Sequence, residues 1–157
     1  MILYHGTNKA FDVIDLTKSK PNKDFGQGFY LSREYSQAME MGKTKVEQLK
    51  RGFPVVLTFE VDELQMNQLK ILRFDAYSLE WAKFILMNRN NDSNKPMHDY
   101  DIVYGPIADD GVTFQLRRYV GGVISLQRLV EELHYIKGIT FQYFFGTERA
   151  LKCLKRI

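Results

Sequence analysis

Asp24–Ser32, DFGQGFYLS, reads as a loop that runs into a short strand. Gly26 and Gly28 relieve steric limits on the backbone and allow another group to approach it closely. Phe29, Tyr30 and Leu31 are residue types that favour a strand. An aromatic ring at a strand end beside a glycine-lined space predicts a place where a flat ring can stack. The segment equally fits a bulged hairpin rim with Tyr30 in the core, and alone it does not separate these two interpretations.

A second segment, Ile2–Thr7 (ILYHGT), is an apolar strand that ends in His5, Gly6 and Thr7. A histidine at a strand end is usually packed or solvated, and a glycine there usually starts a turn. The two segments come in a fixed order, with HGT first and FGQGFYLS about twenty residues later. Their combination carries more information than either segment does alone.

Four segments in order resemble the ADP-ribosyltransferase superfamily, in the branch with a His-Tyr-Glu triad that includes the poly-ADP-ribose polymerases and diphtheria toxin. Residues 5–7 and 25–31 are similar to the polymerase segments His-Gly-Ser and Phe-Gly-x-Gly-x-Tyr-Phe. Asp101–Asp110 and Gln142–Leu151 are similar to the segments DxVxGPxADD and Gln-x-x-Phe-x-Thr-Glu-x-Ala-Leu of small bacterial members. The resemblance therefore spans nearly the whole chain.

The resemblance implies an α+β fold, with an ADP-ribosyltransferase-like split and bent β-sheet and flanking helices, in a single domain over residues 1–157. It also implies that the protein consumes NAD as substrate, and small members of this kind are often encoded beside a short partner protein as toxin and antitoxin. The expected activity is mono-ADP-ribosyl transfer to an acceptor that the sequence does not identify. Two alternatives stay open: a module that binds NAD or ADP-ribose without turnover, and a relative of the RNA 2′-phosphotransferases.

Motif positions assign the expected site residues. The resemblance makes His5, Tyr30 and Gln142 the catalytic group, with His5 bonding a ribose hydroxyl and Tyr30 stacking on nicotinamide. The Gly6 backbone would pair with the carboxamide, and Thr7 would add a hydroxyl contact. The remaining expected NAD-binding residues are Phe25, Gly28, Phe29 and Glu148.

The third triad position departs from the family pattern. Gln142 stands where the family has a glutamate, and a glutamine can hydrogen-bond a ribose hydroxyl but carries no charge. Glu148 follows shortly and could supply the missing carboxylate, although directly after Thr147 it also favours a helix N-terminus. Glu40 or Met41 falls where polymerases place a second stacking tyrosine, which argues against polymer synthesis.

Composition sets broader limits. A chain of 157 residues with 45% hydrophobic content can bury a core without covalent staples, and a net charge of +3 is too small to argue for nucleic acid. The single cysteine, Cys153, excludes an intramolecular disulfide, and the histidines are too scattered to predict a metal site. No signal peptide or apolar spanning run is apparent, so we expect a cytoplasmic protein without a membrane partner.

Periodicity and capping residues predict the other elements. Helices are expected over 33–51, 78–88 and 125–136, with a last helix from Thr147 to Leu154. Strands are expected over Phe53–Val61, Tyr100–Gly105, Thr113–Tyr119 and Ile139–Gly146. Asn8–Lys23 is predicted to be a long loop in which the cluster of Lys18, Lys20 and Lys23 is solvated. His98 and His134 are also expected to be solvated.

Overall fold

A computed structural model describes all 157 residues. Mixed helices and strands make the chain an α+β protein, as the sequence predicts. The strands are β1 (Ile2–Thr7), β2 (Phe29–Leu31), β3 (Val55–Val61), β4 (Ile71–Arg73), β5 (Ile102–Pro106), β6 (Phe141–Phe145) and β7 (Leu154–Arg156). The helices are α1 (Tyr35–Leu49), α2 (Glu63–Met66), α3 (Leu79–Arg89), α4 (Asp110–Val120), α5 (Leu126–His134) and α6 (Glu148–Leu151), and a 3-10 turn covers Leu16–Lys18. None of the helices is long and apolar enough to cross a membrane.

The strands form two sheets that meet at one point. One sheet has the order β1-β3-β7 and the other the order β2-β6-β5-β4, and only the β4–β5 pair is parallel. Between the sheets, Tyr4 and Ser32 exchange two backbone hydrogen bonds of 2.8 Å. One buried apolar cluster contains residues of both sheets, with Leu3 and Phe59 from the first and Phe145 from the second. The other cluster, around Trp81, Leu116 and Phe144, lies on the opposite face of the second sheet.

Helix α1 packs directly on β1 because glycines remove the side chains between them. A Cβ built on Gly6 would lie 1.8 Å from the Ala38 carbonyl oxygen. On the helix side, a Cβ on Gly42 would lie 3.1 Å from the Thr7 carbonyl oxygen. The close approach of α1 therefore requires a glycine at position 6.

Two predicted elements are wrong. Residues 113–119 alternate like a strand but belong to α4, because the Asp109 side chain accepts the Val112 N–H and starts a helix. Val112 and Leu116 then bury one helical face, and Phe114, which completed the apparent alternation, is 58% exposed. The last helix ends at Leu151 instead of Leu154, and Leu154–Arg156 pairs with β3.

We predict that Gly6→Ala destabilises the protein by more than about 2 kcal/mol, because the new methyl group meets the helix backbone and α1 must shift. Gly111→Ala is the matched control. It lies inside α4 with only a 3.5 Å contact to Asp109 Oδ1, and should be neutral or stabilising. Urea unfolding monitored by circular dichroism measures both variants. Equal stability of Gly6→Ala and the parent would contradict the packing argument.

Candidate functional site

A cleft of about 1320 Å³ opens where the two sheets diverge. It is lined by the end of β1, the long loop before β2, β2 itself, one face of α1, residues 107–110 and Gln142. Pockets for drug-sized ligands run from roughly 300 to 1,000 Å³, so this cleft has room for a ligand of dinucleotide size. No group of three or more His, Cys, Asp or Glu side chains is placed to hold a metal ion.

Most of the residues expected from the sequence line this one cleft. The lining includes His5, Gly6, Thr7, Gly28, Phe29, Tyr30 and Gln142. Phe25 is fully buried outside the lining, where its ring stacks at 6.3 Å on that of Tyr30. Glu148 is exposed in the first turn of α6 and has no part in the cleft. This is the position expected if Glu148 stabilises the N-terminus of a helix.

The hydrogen-bond partners of its two ring nitrogens hold His5 in one tautomer. Nδ1 lies 2.7 Å from the Tyr30 carbonyl oxygen, which can only accept, so Nδ1 carries the proton. Nε2 is therefore an acceptor, and the Lys45 ammonium group donates to it at 3.4 Å. Burial, and then the nearby Lys45 charge, lowers the pKa of His5 from 6.5 to about 3. The imidazole is neutral at physiological pH.

Tyr30 serves the site through both its ring and its hydroxyl group. The hydroxyl donates to the Gly26 carbonyl oxygen at 2.6 Å and accepts the Phe25 N–H at 3.0 Å. Lys23 Nζ lies over the ring, 5.2 Å from its centroid. The hydroxyl thus fixes the glycine loop while the ring lies in the cleft wall, and burial raises its pKa well above the usual value.

Further contacts hold the loop before β2 in place. Asp24 forms an ion pair of 2.7 Å with Arg89 at the end of α3. His98 Nε2 donates to the Phe25 carbonyl oxygen at 2.7 Å, and its Nδ1 accepts the Tyr100 N–H. The expectation that His98 is solvated is therefore wrong, whereas His134 is exposed as predicted. Gly26 has φ of +96°, a conformation that a residue with a side chain rarely adopts.

Gly6 presents unpaired backbone groups at the edge of β1. Residues along a strand direct their N–H and C=O groups alternately to the two sides, and those of Tyr4 face Ser32. Gly6, two residues on, therefore directs its N–H and C=O away from β3 as well. Neither group has a partner in the protein, although Gly6 is buried and lines the cleft. Buried backbone groups are normally paired, so this edge is suited to a ligand that offers a donor and an acceptor side by side.

Gln142 lies on the same side of its sheet as the Tyr30 ring. Phe144 is opposite Tyr30 in the ladder between β2 and β6, and its ring packs edge-on against the tyrosine at 5.4 Å. Gln142, two residues earlier on β6, shares that face and lines the cleft. It offers an amide without charge to the space near Tyr30.

Lys45 on α1 was not predicted from the sequence. One face of α1 lines the cleft with residues at helical spacing, namely Ala38, Met41, Lys45 and Leu49. Helical spacing alone therefore indicates that a lysine lies on an otherwise apolar face. Burial, and then repulsion from Lys23, lowers the pKa of Lys45 from 10.5 to about 8. Lys23 was expected to be solvated; its side chain is exposed but also contacts the Tyr30 ring. Of the two candidates for the second stacking position, Met41 lines the cleft and Glu40 does not.

We predict that Tyr30→Phe lowers the free energy of unfolding by about 1–3 kcal/mol, because the Phe25 N–H and the Gly26 carbonyl lose their partner. Chemical denaturation compares it with Tyr135→Phe, which alters a tyrosine that is 77% exposed. A Tyr30→Phe midpoint equal to that of the control would show that the hydroxyl group does not hold the loop.

Acid should destabilise the fold through His5. The pKa of His5 is about 3 in the folded protein, against an ordinary value of 6.5. Below pH 6.5 the unfolded chain therefore binds a proton at His5 and the folded chain does not. His5 therefore contributes a loss of stability of up to about 1.4 kcal/mol per pH unit as pH falls from 6.5 to 3. His5→Asn, which can still donate to the Tyr30 carbonyl, should flatten this dependence, and the exposed His134→Asn should not. Unfolding free energies at several pH values measure it, and parallel profiles for the parent and His5→Asn would contradict the assignment.

Comparison with known proteins gives a family but no activity. No curated protein matches this sequence. A family model does match it, described as a protein of unknown function, DUF3990, and it covers residues 1–156. Because the match extends over nearly the whole chain, this protein belongs to the DUF3990 family.

Proposed function

We propose that this protein is an NAD-dependent mono-ADP-ribosyltransferase of the bacterial toxin type. It would act in the cytoplasm on a macromolecular acceptor of unknown identity and be held in check by a small antitoxin protein. The two sheets, whose backbones pair with each other only between Tyr4 and Ser32, support the split sheet of the ADP-ribosyltransferase-like fold that the sequence motifs imply.

The observation that carries the proposal is the unpaired backbone edge at Gly6. A primary carboxamide presents one N–H of its NH₂ group and its carbonyl oxygen side by side, and these complement the C=O and N–H of a single residue on a strand edge. Nicotinamide carries such a carboxamide. Binding it would satisfy both buried backbone groups of Gly6.

The Tyr30 ring is suited to bind the aromatic ring of nicotinamide. The ring face already lies next to a cation, the Lys23 ammonium group at 5.2 Å. The nicotinamide ring in NAD is itself a flat cation, so it can replace the ammonium group on the tyrosine with both stacking and cation–π attraction. The Gly6 backbone would thus bind the carboxamide of nicotinamide, and the face of the Tyr30 ring would bind its aromatic ring.

His5 and Gln142 supply neutral contacts for the ribose. The lone pair of His5 Nε2 can accept a hydrogen bond from a ribose hydroxyl group in place of the one from Lys45. Gln142 can bond a second hydroxyl group through its amide. Cleavage breaks the bond between the ribose carbon and the nicotinamide nitrogen, nicotinamide leaves with the bonding electrons, and the acceptor's nucleophilic atom forms the new bond and loses its proton.

Electrostatics predict a slow enzyme. Positive charge develops on the ribose as nicotinamide leaves, and a carboxylate at the Gln142 position would stabilise it. Removing one such charged contact costs on the order of 10–1000-fold in rate. Lys45 adds a positive charge beside His5, in the same region of the cleft.

The same observations favour a second candidate, a module of this fold that binds NAD or ADP-ribose without turnover. Binding requires only the Gly6 edge, the Tyr30 ring and hydrogen bonds to the sugar. A neutral Gln142 and a neighbouring ammonium group do not impair binding as they impair catalysis. Release of nicotinamide separates the two candidates.

We expect the parent protein to release nicotinamide from NAD slowly when a whole-cell lysate supplies the acceptor. Gln142→Ala should reduce the release because it removes a ribose contact. Gln142→Glu should maintain or raise it by up to roughly 10–1000-fold, because it restores the negative charge. Chromatography of free nicotinamide, with mass spectrometry for an added ADP-ribose group, provides the measurement.

Glu148→Gln is the matched control, because Glu148 lies outside the cleft. We expect it to leave the release unchanged, and an abolished release would make Glu148 the working carboxylate. A parent that binds NAD and releases no nicotinamide with any lysate would establish the binding module instead.

A further inference from the structure

The cleft contains more positive than negative charge. Its lining has six cationic side chains: Lys9, Lys18, Lys20, Lys23, Lys45 and Arg51. It has four carboxylates: Asp15, Asp24, Asp109 and Asp110. One of these carboxylates, Asp24, is already paired with Arg89, which lies outside the lining. The surplus of cations is therefore not neutralised within the cleft.

Two of the cations flank the residues proposed to bind ligand. Lys45 Nζ donates to His5 Nε2 at 3.4 Å, and Lys23 Nζ lies 5.2 Å from the centre of the Tyr30 ring. Neither ammonium group lies within ion-pair distance of a carboxylate. Each instead contacts a neutral aromatic side chain, which does not cancel the charge of the ammonium group. Lys43, two residues before Lys45, does pair with Glu40 and points away from the cleft.

The partly buried Lys45 ammonium group opposes folding, because it would be better solvated in water. The mutual repulsion of Lys23 and Lys45 adds to this cost. A doubly charged anion placed between them would remove both penalties. Phosphate oxygens also form short, charge-assisted hydrogen bonds with lysine.

We propose that Lys23 and Lys45 form a seat for the diphosphate group of the ligand, and that Lys45 makes the cleft selective for phosphorylated ribosides. Without ligand, Lys45 occupies the acceptor nitrogen of His5. A diphosphate draws the ammonium group off His5, which frees Nε2 for a ribose hydroxyl group. In the same way, Lys23 moves from the Tyr30 ring to the phosphates when an aromatic base stacks on that ring. The identity of the ligand as NAD or ADP-ribose rests on the proposed function, whereas the seat rests on the charges.

Calorimetric titration with ADP-ribose tests the seat. Lys45→Met should weaken ADP-ribose binding by roughly 10–100-fold, because it removes one charged hydrogen bond to phosphate. Lys23→Met, at a loop position, should weaken it similarly, and Lys45→Arg should keep most of the affinity. The matched control is Lys43→Met, the same change on the solvent side of the same helix, with a change of less than about twofold.

A second pair of ligands tests selectivity. Nicotinamide mononucleotide and nicotinamide riboside differ by one phosphate group, and the parent should prefer the mononucleotide. Lys45→Met should remove that preference without weakening the binding of the riboside. The thermal midpoint of Lys45→Met should equal or exceed that of the parent, because the variant loses an unpaired, partly buried charge.

Several outcomes would overturn the seat: unchanged ADP-ribose affinity in Lys45→Met and Lys23→Met, equal losses for Lys43→Met, or equal losses for mononucleotide and riboside. Tighter binding of an oligoribonucleotide with an internal 2′-phosphate than of ADP-ribose would assign the seat to RNA instead. The proposed function fails separately. If ADP-ribose binds, depends on Lys45, and no nicotinamide is ever released from NAD, the seat stands and the transferase does not.

Discussion

The hydrogen bond from His5 Nδ1 to the Tyr30 carbonyl oxygen, at 2.7 Å, is the contact on which the cleft depends. Together with the backbone bridge between Tyr4 and Ser32 it joins the two sheets along their hydrogen-bonding edges. It also sets the tautomer of His5 and so makes Nε2 an acceptor that faces the cleft. One contact therefore both ties β1 to β2 at the cleft and fixes the chemical character of the histidine.

Around this junction, the residues that face the cleft are held by others that do not. The Tyr30 hydroxyl group, His98 and the ion pair of Asp24 with Arg89 fix the glycine loop, and α1 reaches β1 only because Gly6 and Gly42 lack side chains. Such support is what a binding site needs, because groups that are already in place lose little freedom when a ligand arrives. The arrangement would serve binding equally well with or without turnover.

The positive charge of the cleft would favour binding of an anionic ligand but would oppose the development of positive charge on its ribose. Gln142 supplies no negative charge to a developing ribosyl cation, and Lys45 supplies a positive one nearby. Those charges suit a polyanionic ligand much better than they suit cleavage of its sugar bond. In the proposed enzyme the cleft would therefore favour phosphate binding over catalysis, and NAD consumption would be limited to turnovers with a well-oriented acceptor.

The sequence by itself determined most of the longer elements and the two segments that meet at the site, because glycine positions, strand alternation and helical spacing are properties of short stretches. It did not predict the short elements α2, β4 and β7. Spacing failed at residues 113–119, where the Asp109 cap and the burial of Val112 and Leu116 decided for a helix. Only the tertiary structure brought Lys45 to His5, left Glu148 outside the cleft and enclosed His98 beneath the glycine loop. These contacts join residues that are distant along the chain, and their burial and charge exist only once the two sheets and α1 have packed together.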